Sequence, residues 1–383
     1  MYSQTGMDET VSVDDERYMV RALELARKGL LTTDPNPCVG SVVVRNDRIV
    51  GQGWHRRAGG AHAEIEALQA AGDQAKGSTV YVTLEPCCHF GKTPPCVQTL
   101  IESGVKRVVA AMEDPNPRVA GQGFRILQDA GIEIRQGVLA GDAELLNRGF
   151  CRRMRTGRPY VLSKLAMSLD GRTALESGES KWITGEQARQ DVHRLRARSS
   201  AILTGIETVL ADDPLLNVRL GADSDQMGQP LRVILDTRLR VSVNARIRSE
   251  GEPPLVLTGS DDRARISILC DAGFRVFRLE RGDDGMLDLL AVMEYLGSIG
   301  MNQVMVEAGA TLNGELLVQG LVDEWIVYQS ASLLGPSSRS LVQLPQLERM
   351  SDRIDLQLLD FRQVGKDLRL RYRVDCSTGA RGA

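Results

Sequence analysis

Apolar residues in the first third of the chain recur with two different periods. Acids open DDERYMVRALELARKG (14–29), apolar positions follow at helical spacing and Gly29 closes the stretch, which predicts a helix. The alternation of SVVVRNDRIVGQGW (41–54) predicts a hairpin turning at Asn46 and Asp47. AHAEIEALQAAG (61–72) returns to helical spacing, and STVYVTLE (78–85) reads as a buried strand running into a cysteine-rich turn. Residues 93–104 then read as a helix, VKRVVAAM (105–112) as a strand, FRILQDAG as a helix and IEIRQGVL as a strand. Alternating strands and helices in this order predict an α/β layer with a partly parallel sheet.

The segment NRGFCRRMRTGRP (147–159) is basic, broken by Gly and Pro, and reads as an interdomain connector with a helical start. From Tyr160 the alternation restarts with seven apolar runs: YVLSKLAMS, SAILTG, LRVILD, PLVLTG, FRVFRLE, QVMVEAG and EWIVYQSASLLG. Helical spacing lies between several of them, at 185–198, 261–272, 287–299 and 311–320. This predicts a second α/β domain with its own sheet. The expected domains are 12–150 and 159–375, with a loose tail at 376–383.

Length and composition narrow the class. A chain of 383 residues exceeds one ordinary core, and 42% hydrophobic with 25% charged residues is globular. A formal net charge of −3 disfavours extended nucleic-acid binding, which a basic face would serve. The polar, acidic N-terminus is no signal peptide, and no run of eighteen apolar residues exists, so a cytoplasmic protein without a membrane span is expected. Seven cysteines, three of them within ten positions, point to metal or catalysis rather than to a disulfide framework.

The chemistry concentrates at His62-Ala63-Glu64, Glu85-Pro86-Cys87 and Cys96. One imidazole and two thiolates give a catalytic zinc three ligands and leave one position for water, whose pKa the cation lowers towards neutral. Cys96 opens a helix, where the N-terminus favours a thiolate. Glu64, two residues from the His ligand, is placed to carry a proton from water to a departing amine. Cys88 and His89 stand close enough to compete as ligands; Cys87 is preferred because it follows Pro86, and Cys96 because it begins a helix.

H-x-E followed by P-C and a further Cys resembles the cytidine-deaminase superfamily, with eight residues between the cysteines instead of two. The longer form EPCCHFGKTPPC, with PNPCVG (35–40) before it and DPNPRVAGQG (114–123) after it, is similar to the bifunctional deaminase–reductase family of riboflavin biosynthesis. KLAMSLDGRTA, SGESKWITG, TVLADDPLLNVR and VEAGATLNG extend the resemblance to about residues 12–375. It implies a cytidine-deaminase-like α/β/α domain followed by a dihydrofolate-reductase-like α/β domain. It also implies zinc and NADPH as cofactors, a ribosyl-phosphate pyrimidine as small-molecule substrate, and a homo-oligomer. The family usually carries Ser where Cys88 stands.

By the same resemblance Asn36 and His55 line the pyrimidine pocket, Asn36 also reading as a turn residue. In the second domain, Ser180, Arg196, Leu216, Arg219 and Glu307 are the implied substrate contacts. Ala166, Trp182, Thr208 and Asp212 are the implied nicotinamide contacts, although Trp182 also reads as a core residue. Lys164 is implied in catalysis and, with Asp212 and Glu307, is expected at a strand end. VEAGATLNGELL places two glycines between a strand and a helix, a turn that offers backbone N–H groups to phosphate. The family match makes Gly309, Ala310, Thr311, Leu312, Asn313, Gly314 and Glu315 the implied pyrophosphate turn. Two rival functions are a nucleic-acid base deaminase, which leaves 160–375 without a task, and a zinc-stabilised binding module, which requires a fourth protein ligand.

Overall fold

A computed structural model of the chain describes residues 13–88, 95–180, 182–221 and 228–374. The chain divides into two compact units, Met1–Thr156 and Gly157–Ala383.

The first unit runs α1 (Val13–Arg27), β1 (Gly40–Arg45), β2 (Arg48–Trp54), α2 (Ala63–Ala71), β3 (Thr79–Val82), α3 (Cys96–Glu102), β4 (Arg107–Ala110), α4 (Gln122–Asp129), β5 (Glu133–Arg135), α5 (Ala140–Leu146) and α6 (Arg148–Thr156). Its five strands lie in the order β2-β1-β3-β4-β5; β1 is antiparallel to both neighbours, and β3, β4 and β5 are parallel. Successive side chains of β1 point to opposite faces. Val42 and Val44 therefore join α1 and α5 in one core, while Val43 joins α2, α3 and α4 in the other. This is the expected α/β/α sandwich. The hairpin turns at Asn46 and Asp47 with φ of 50° and 59°, the left-handed pair that a tight two-residue turn requires.

The connector expected at 147–159 is instead mostly helix. Asn147, Gly149 and Cys151 are buried in the first unit, so these small or polar buried positions hold the helix to that unit despite the arginines between them, and the break falls at Gly157.

The second unit contains β6 (Tyr160–Met167), β7 (Arg172–Ala174), α7 (Glu186–Ala197), β8 (Ala201–Gly205), α8 (Ile206–Asp212), β9 (Leu231–Leu235), β10 (Leu255–Thr258), α9 (Arg263–Asp271) and β11 (Arg275–Arg278). It continues through α10 (Leu289–Ser298), β12 (Gln303–Val306), α11 (Ala310–Val318), β13 (Glu324–Gln329), β14 (Arg339–Ser340), β15 (Leu356–Val364) and β16 (Asp367–Val374). A nine-stranded sheet has the order β11-β10-β9-β8-β12-β6-β13-β16-β15. The seven strands from β11 to β13 are parallel and are the seven apolar runs of the sequence; the hairpin β15–β16 closes one edge antiparallel. Leu203 and Val233 pack with α10 and α11, whereas their neighbours Ile202 and Ile234 pack with α8 and α9. Helices thus cover both faces, as parallel strands require. The tail expected at 376–383 lies outside the described residues. No described helix is long and apolar enough to cross a membrane.

One close approach positions the chemistry of the first unit. A Cβ on Gly53 would stand 2.5 Å from the Ala63 carbonyl oxygen, so glycine in β2 lets the first turn of α2 lie on the sheet. Gly53→Ala is expected to destabilise this unit by about 2 kcal/mol through overpacking, seen as faster hydrogen exchange of the α2 amides; unchanged exchange would show that the contact relaxes freely.

Candidate active site

Three chain segments end at one point. His62 is the N-cap of α2 and makes no side-chain capping bond, which leaves its imidazole for other partners. Cys87 follows β3, and Cys96 is the first residue of α3, after Pro95 at the N-cap. The ligand atoms of His62, Cys87 and Cys96 lie within 4.8 Å of one another, and all other groups that could hold a metal are absent among the described residues. His62 Nδ1 is 3.2 Å from Cys96 Sγ and 3.4 Å from Cys87 Sγ. A tetrahedral zinc with bonds of about 2.0–2.3 Å has N···S edges of about 3.6 Å, so the spacing fits the ion.

The donor chemistry fits as well. A hydrogen bond from the Cys96 thiol, helped by His62, pulls the Cys87 thiol down to about 4. The same contact, with burial and the nearby Glu64, pushes Cys96 strongly upward. Cys96 N–H also donates to Cys87 Sγ at 3.3 Å, at the positive end of α3. One thiolate forms readily and the second needs a cation to offset the first.

Cys88 stands outside the three-donor cluster and packs against the core that contains Val97 and Leu100; burial and the Glu85 charge raise its thiol. His89 lies outside the described residues. Glu64 is buried, hydrogen-bonds with Cys96, and has its carboxyl pushed up to about 7 by burial and by the neighbouring Cys87.

A cavity of about 590 Å³ opens onto this cluster, lined by Asn36, His55, His62, Glu64, Asn116, Phe150 and Met154 among others. His55 is buried and edge-on to His62, with centroids 5.5 Å apart. Its Nδ1 meets the Ala61 carbonyl at 2.9 Å and its Nε2 meets the Asn36 amide nitrogen at 3.1 Å. Those partners set Nδ1–H as the donor and Nε2 as the acceptor, and burial lowers the His55 pKa, so the ring is neutral. Asn36 also serves as a turn residue, its N–H donating to the Thr33 carbonyl.

Glu85 had no role in the sequence reading. Its buried carboxylate accepts the backbone N–H groups of Asp114, Gly121 and Gly123 at 3.0, 3.0 and 2.8 Å, fixing the loop that brings Asn116 to the cavity. The spacing of glycines in DPNPRVAGQG was the available signal: a Cβ on Gly123 would lie 2.3 Å from the Pro86 carbonyl oxygen.

In the second unit Glu307, just after β12, is buried between two cations. Lys164 Nζ lies 3.2 Å from Oε2, and Arg196 donates through Nε and Nη2 at 2.5 and 3.1 Å. Burial alone would raise the Glu307 pKa; Arg196 and Lys164 outweigh it and hold the carboxyl at about 2. Arg196 also donates to the Asn217 carbonyl at 2.9 Å. Lys164 sits within β6 and Asp212 ends α8, so the expected strand-end placement holds only for Glu307; TVLAD forms a helix because Gly205 supplies its N-terminal boundary.

Ala166 shares β6 with Lys164, and Thr208 lies on α8. Leu216 has a buried side chain and φ of 49°. Arg219 donates to Asn217 Oδ1 at 2.9 Å. Ser180 is half-buried. Trp182 is no core residue, being 71% exposed with the Arg189 guanidinium 4.4 Å over its ring.

Gly309 is the N-cap of α11 and, like Thr311 and Glu315, is exposed; Ala310 and Leu312 are half-buried. Asn313 faces inward, donating to the Ala308 and Gly309 carbonyls and accepting from Ser163 Oγ, and Gly314 packs against the Gln343 backbone. His193, another residue without a role in the sequence reading, lies against Arg196 and Arg219. Burial and then those two charges lower it to about 4.

Residues 12–112 match the cytidine and deoxycytidylate deaminase zinc-binding region, and residues 159–370 match the RibD C-terminal domain. The riboflavin biosynthesis protein RibD of Escherichia coli is 49% identical over 366 residues, covering 93% of this chain and 98% of that protein. The chain belongs to the RibD family. The RibD of Haemophilus influenzae is 48% identical over 94% of this chain and 98% of its own. The structure of Acinetobacter baumannii RibD superposes with a TM-score of 0.89 at 45% identity, covering 94% and 99% of the two chains. The protein is therefore a bifunctional deaminase–reductase of riboflavin biosynthesis, with zinc and NADPH as its cofactors.

Two outcomes follow from this geometry. Cys87→Ser or Cys96→Ser is expected to lose most bound zinc by metal analysis, while Cys88→Ser keeps the wild-type content; loss in Cys88→Ser would make it a ligand. His193 has a depressed pKa, so the folded state binds fewer protons than the unfolded one and stability falls as pH drops from about 6.5 to 4. His193→Gln should flatten that part of the curve in urea titrations; an identical slope would refute it.

Proposed function

We propose that residues 12–150 hydrolytically remove the 2-amino group of a diaminopyrimidinone ribosyl phosphate and that residues 159–375 then reduce the ribosyl group to ribityl. The observation that carries the first half is that His62, Glu64 and Cys87, with Cys96 clustered beside them, line a cavity large enough for a nucleotide-sized ligand. A Thermotoga maritima structure at 33% identity and TM-score 0.82, covering 94% of this chain and 99% of that chain, is described as a diaminohydroxyphosphoribosylaminopyrimidine deaminase/5-amino-6-(5-phosphoribosylamino)uracil reductase. That description supports this substrate class.

Zinc, when bound, supplies a nucleophile from water at neutral pH. Glu64 takes the proton of that water and returns it to the departing amine. Asn36 and the neutral His55 hold the pyrimidine edge, and the cavity wall from Phe150 to Met154 limits water. A nucleic-acid substrate is disfavoured because the net charge of −3 offers no backbone-binding surface.

In the second half, NADPH supplies the hydride. The N-terminus of α11, from Gly309 to Leu312, presents amides to its pyrophosphate, with Asn313 and Gly314 shaping the turn from inside and Glu315 at its far end. Ala166, Trp182, Thr208 and Asp212 would hold the nicotinamide end. Lys164 polarises or protonates the opening sugar, Glu307 holds its hydroxyls, and Ser180, Leu216 and Arg219 take the phosphate end. Arg196 works through Glu307, since its donors already face that carboxylate and the Asn217 carbonyl. Among the described residues Cys87, Cys88, Cys96, Cys151 and Cys270 form no disulfide, which suits work in the reducing cytoplasm.

Glu64→Gln is expected to slow ammonia release about 10²–10⁴-fold with zinc content intact, and to leave NADPH oxidation on the deaminated compound unchanged. Ammonia release near the wild-type rate would remove Glu64 from the reaction.

A further inference from the structure

The junction of α5 and α6 holds one side chain that no zinc or substrate reading uses. Asn147 is buried, and its carboxamide grips the backbone of a single residue 109 positions away: Oδ1 accepts the Cys38 N–H at 2.7 Å, and Nδ2 donates to the Cys38 carbonyl at 2.9 Å. A third contact, from Nδ2 to the Ala143 carbonyl at 3.4 Å, ties the amide to its own helix. Cys38 belongs to the PNPC loop that lines the cavity. Two residues before it, Asn36 meets His55 Nε2, and one residue after it the Val39 carbonyl accepts the His55 N–H at 2.9 Å. Phe150 and Met154, three and seven residues beyond Asn147, lie on the same helical face and enter the same cavity.

We propose that Asn147 is a positioning residue for deamination, setting the PNPC loop so that Asn36 and His55 meet the pyrimidine in one fixed geometry. A buried amide satisfying both backbone polar groups of one residue removes the loop's freedom to shift along or away from α6, because either shift breaks both bonds and leaves buried polar atoms unpaired. The zinc donors come from α2, the end of β3 and α3, so they do not depend on this clamp. Its effect falls on binding the ring.

The inference rests on the cavity being the pyrimidine site. The test uses the full-length zinc enzyme and measures ammonia release, zinc content and NADPH oxidation on the deaminated compound for Asn147→Ala, Asn36→Ala and the double variant. Asn147→Ala should raise the deamination KM about tenfold, with kcat within about threefold of wild type and with zinc content and reductase rate unchanged. The double variant should bind no worse than Asn36→Ala, since both act through one group. If Asn147→Ala does not accumulate as soluble protein, Asn147→Asp keeps the shape and the acceptor for Cys38 N–H while losing the donor, and carries the same comparison. An unchanged KM, additive effects, or a joint fall in kcat, zinc and reductase rate would overturn the role. A wild-type enzyme that releases no ammonia would defeat the reading of the cavity itself.

Discussion

Two thiols and an imidazole packed within 4.8 Å of one another set the terms for the first unit. The charge of one thiolate opposes the second, and only a cation between them removes that opposition. Three segments must therefore end at one point with little tolerance: the N-cap of α2, the end of β3 and the first turn of α3. The α/β/α sandwich meets this by letting glycine in β2 bring α2 onto the sheet, and by carrying β3 directly into the Pro86-Cys87 turn. Helix N-termini supply partial positive charge to the site from the backbone itself.

The parts of this arrangement that follow local periodicity were legible in the residues. The Asn46-Asp47 hairpin, the seven parallel strands of the second unit and the cluster of His62, Cys87 and Cys96 are carried by short-range patterns that one sequence displays. Asn147 was not legible, because its Cys38 partners are backbone N–H and carbonyl groups 109 residues away, which leave no residue type to recognise; Glu85 left only the glycine spacing of the loop whose N–H groups it accepts. The connector reading of 147–159 failed for a related reason. Arginines mask a helical face whose few buried positions, Asn147, Gly149 and Cys151, are polar, small or sulfur-bearing rather than large and apolar. The hairpin β15–β16 went unread although DLRLRYRV alternates, since its apolar positions are half exposed and interleaved with charge.

The second unit solves a charge problem of the opposite sign. Glu307 is a single buried carboxylate facing Lys164 and Arg196. Removing one member of such a group costs more than the pair contributes, because it leaves an uncompensated charge in low dielectric. The triad therefore fixes β6, α7 and the end of β12 relative to one another, and it leaves one net positive charge on the group.

Both sites thus share a division of labour. The clustered donors His62 and Cys96 lie at helix starts and Glu307 just past a strand end, where small backbone shifts move them most. Groups that hold those ends in place are buried polar side chains satisfied on two or three sides, where any shift costs several hydrogen bonds at once. Glu85 does this with three amides, and Asn147 with both backbone polar groups of Cys38. A donor set can tolerate neighbouring changes such as cysteine for serine at position 88 because that side chain packs against the core instead of facing the metal. It tolerates far less at positions whose only partners are main-chain atoms, since a side chain there has no second partner to take up the loss.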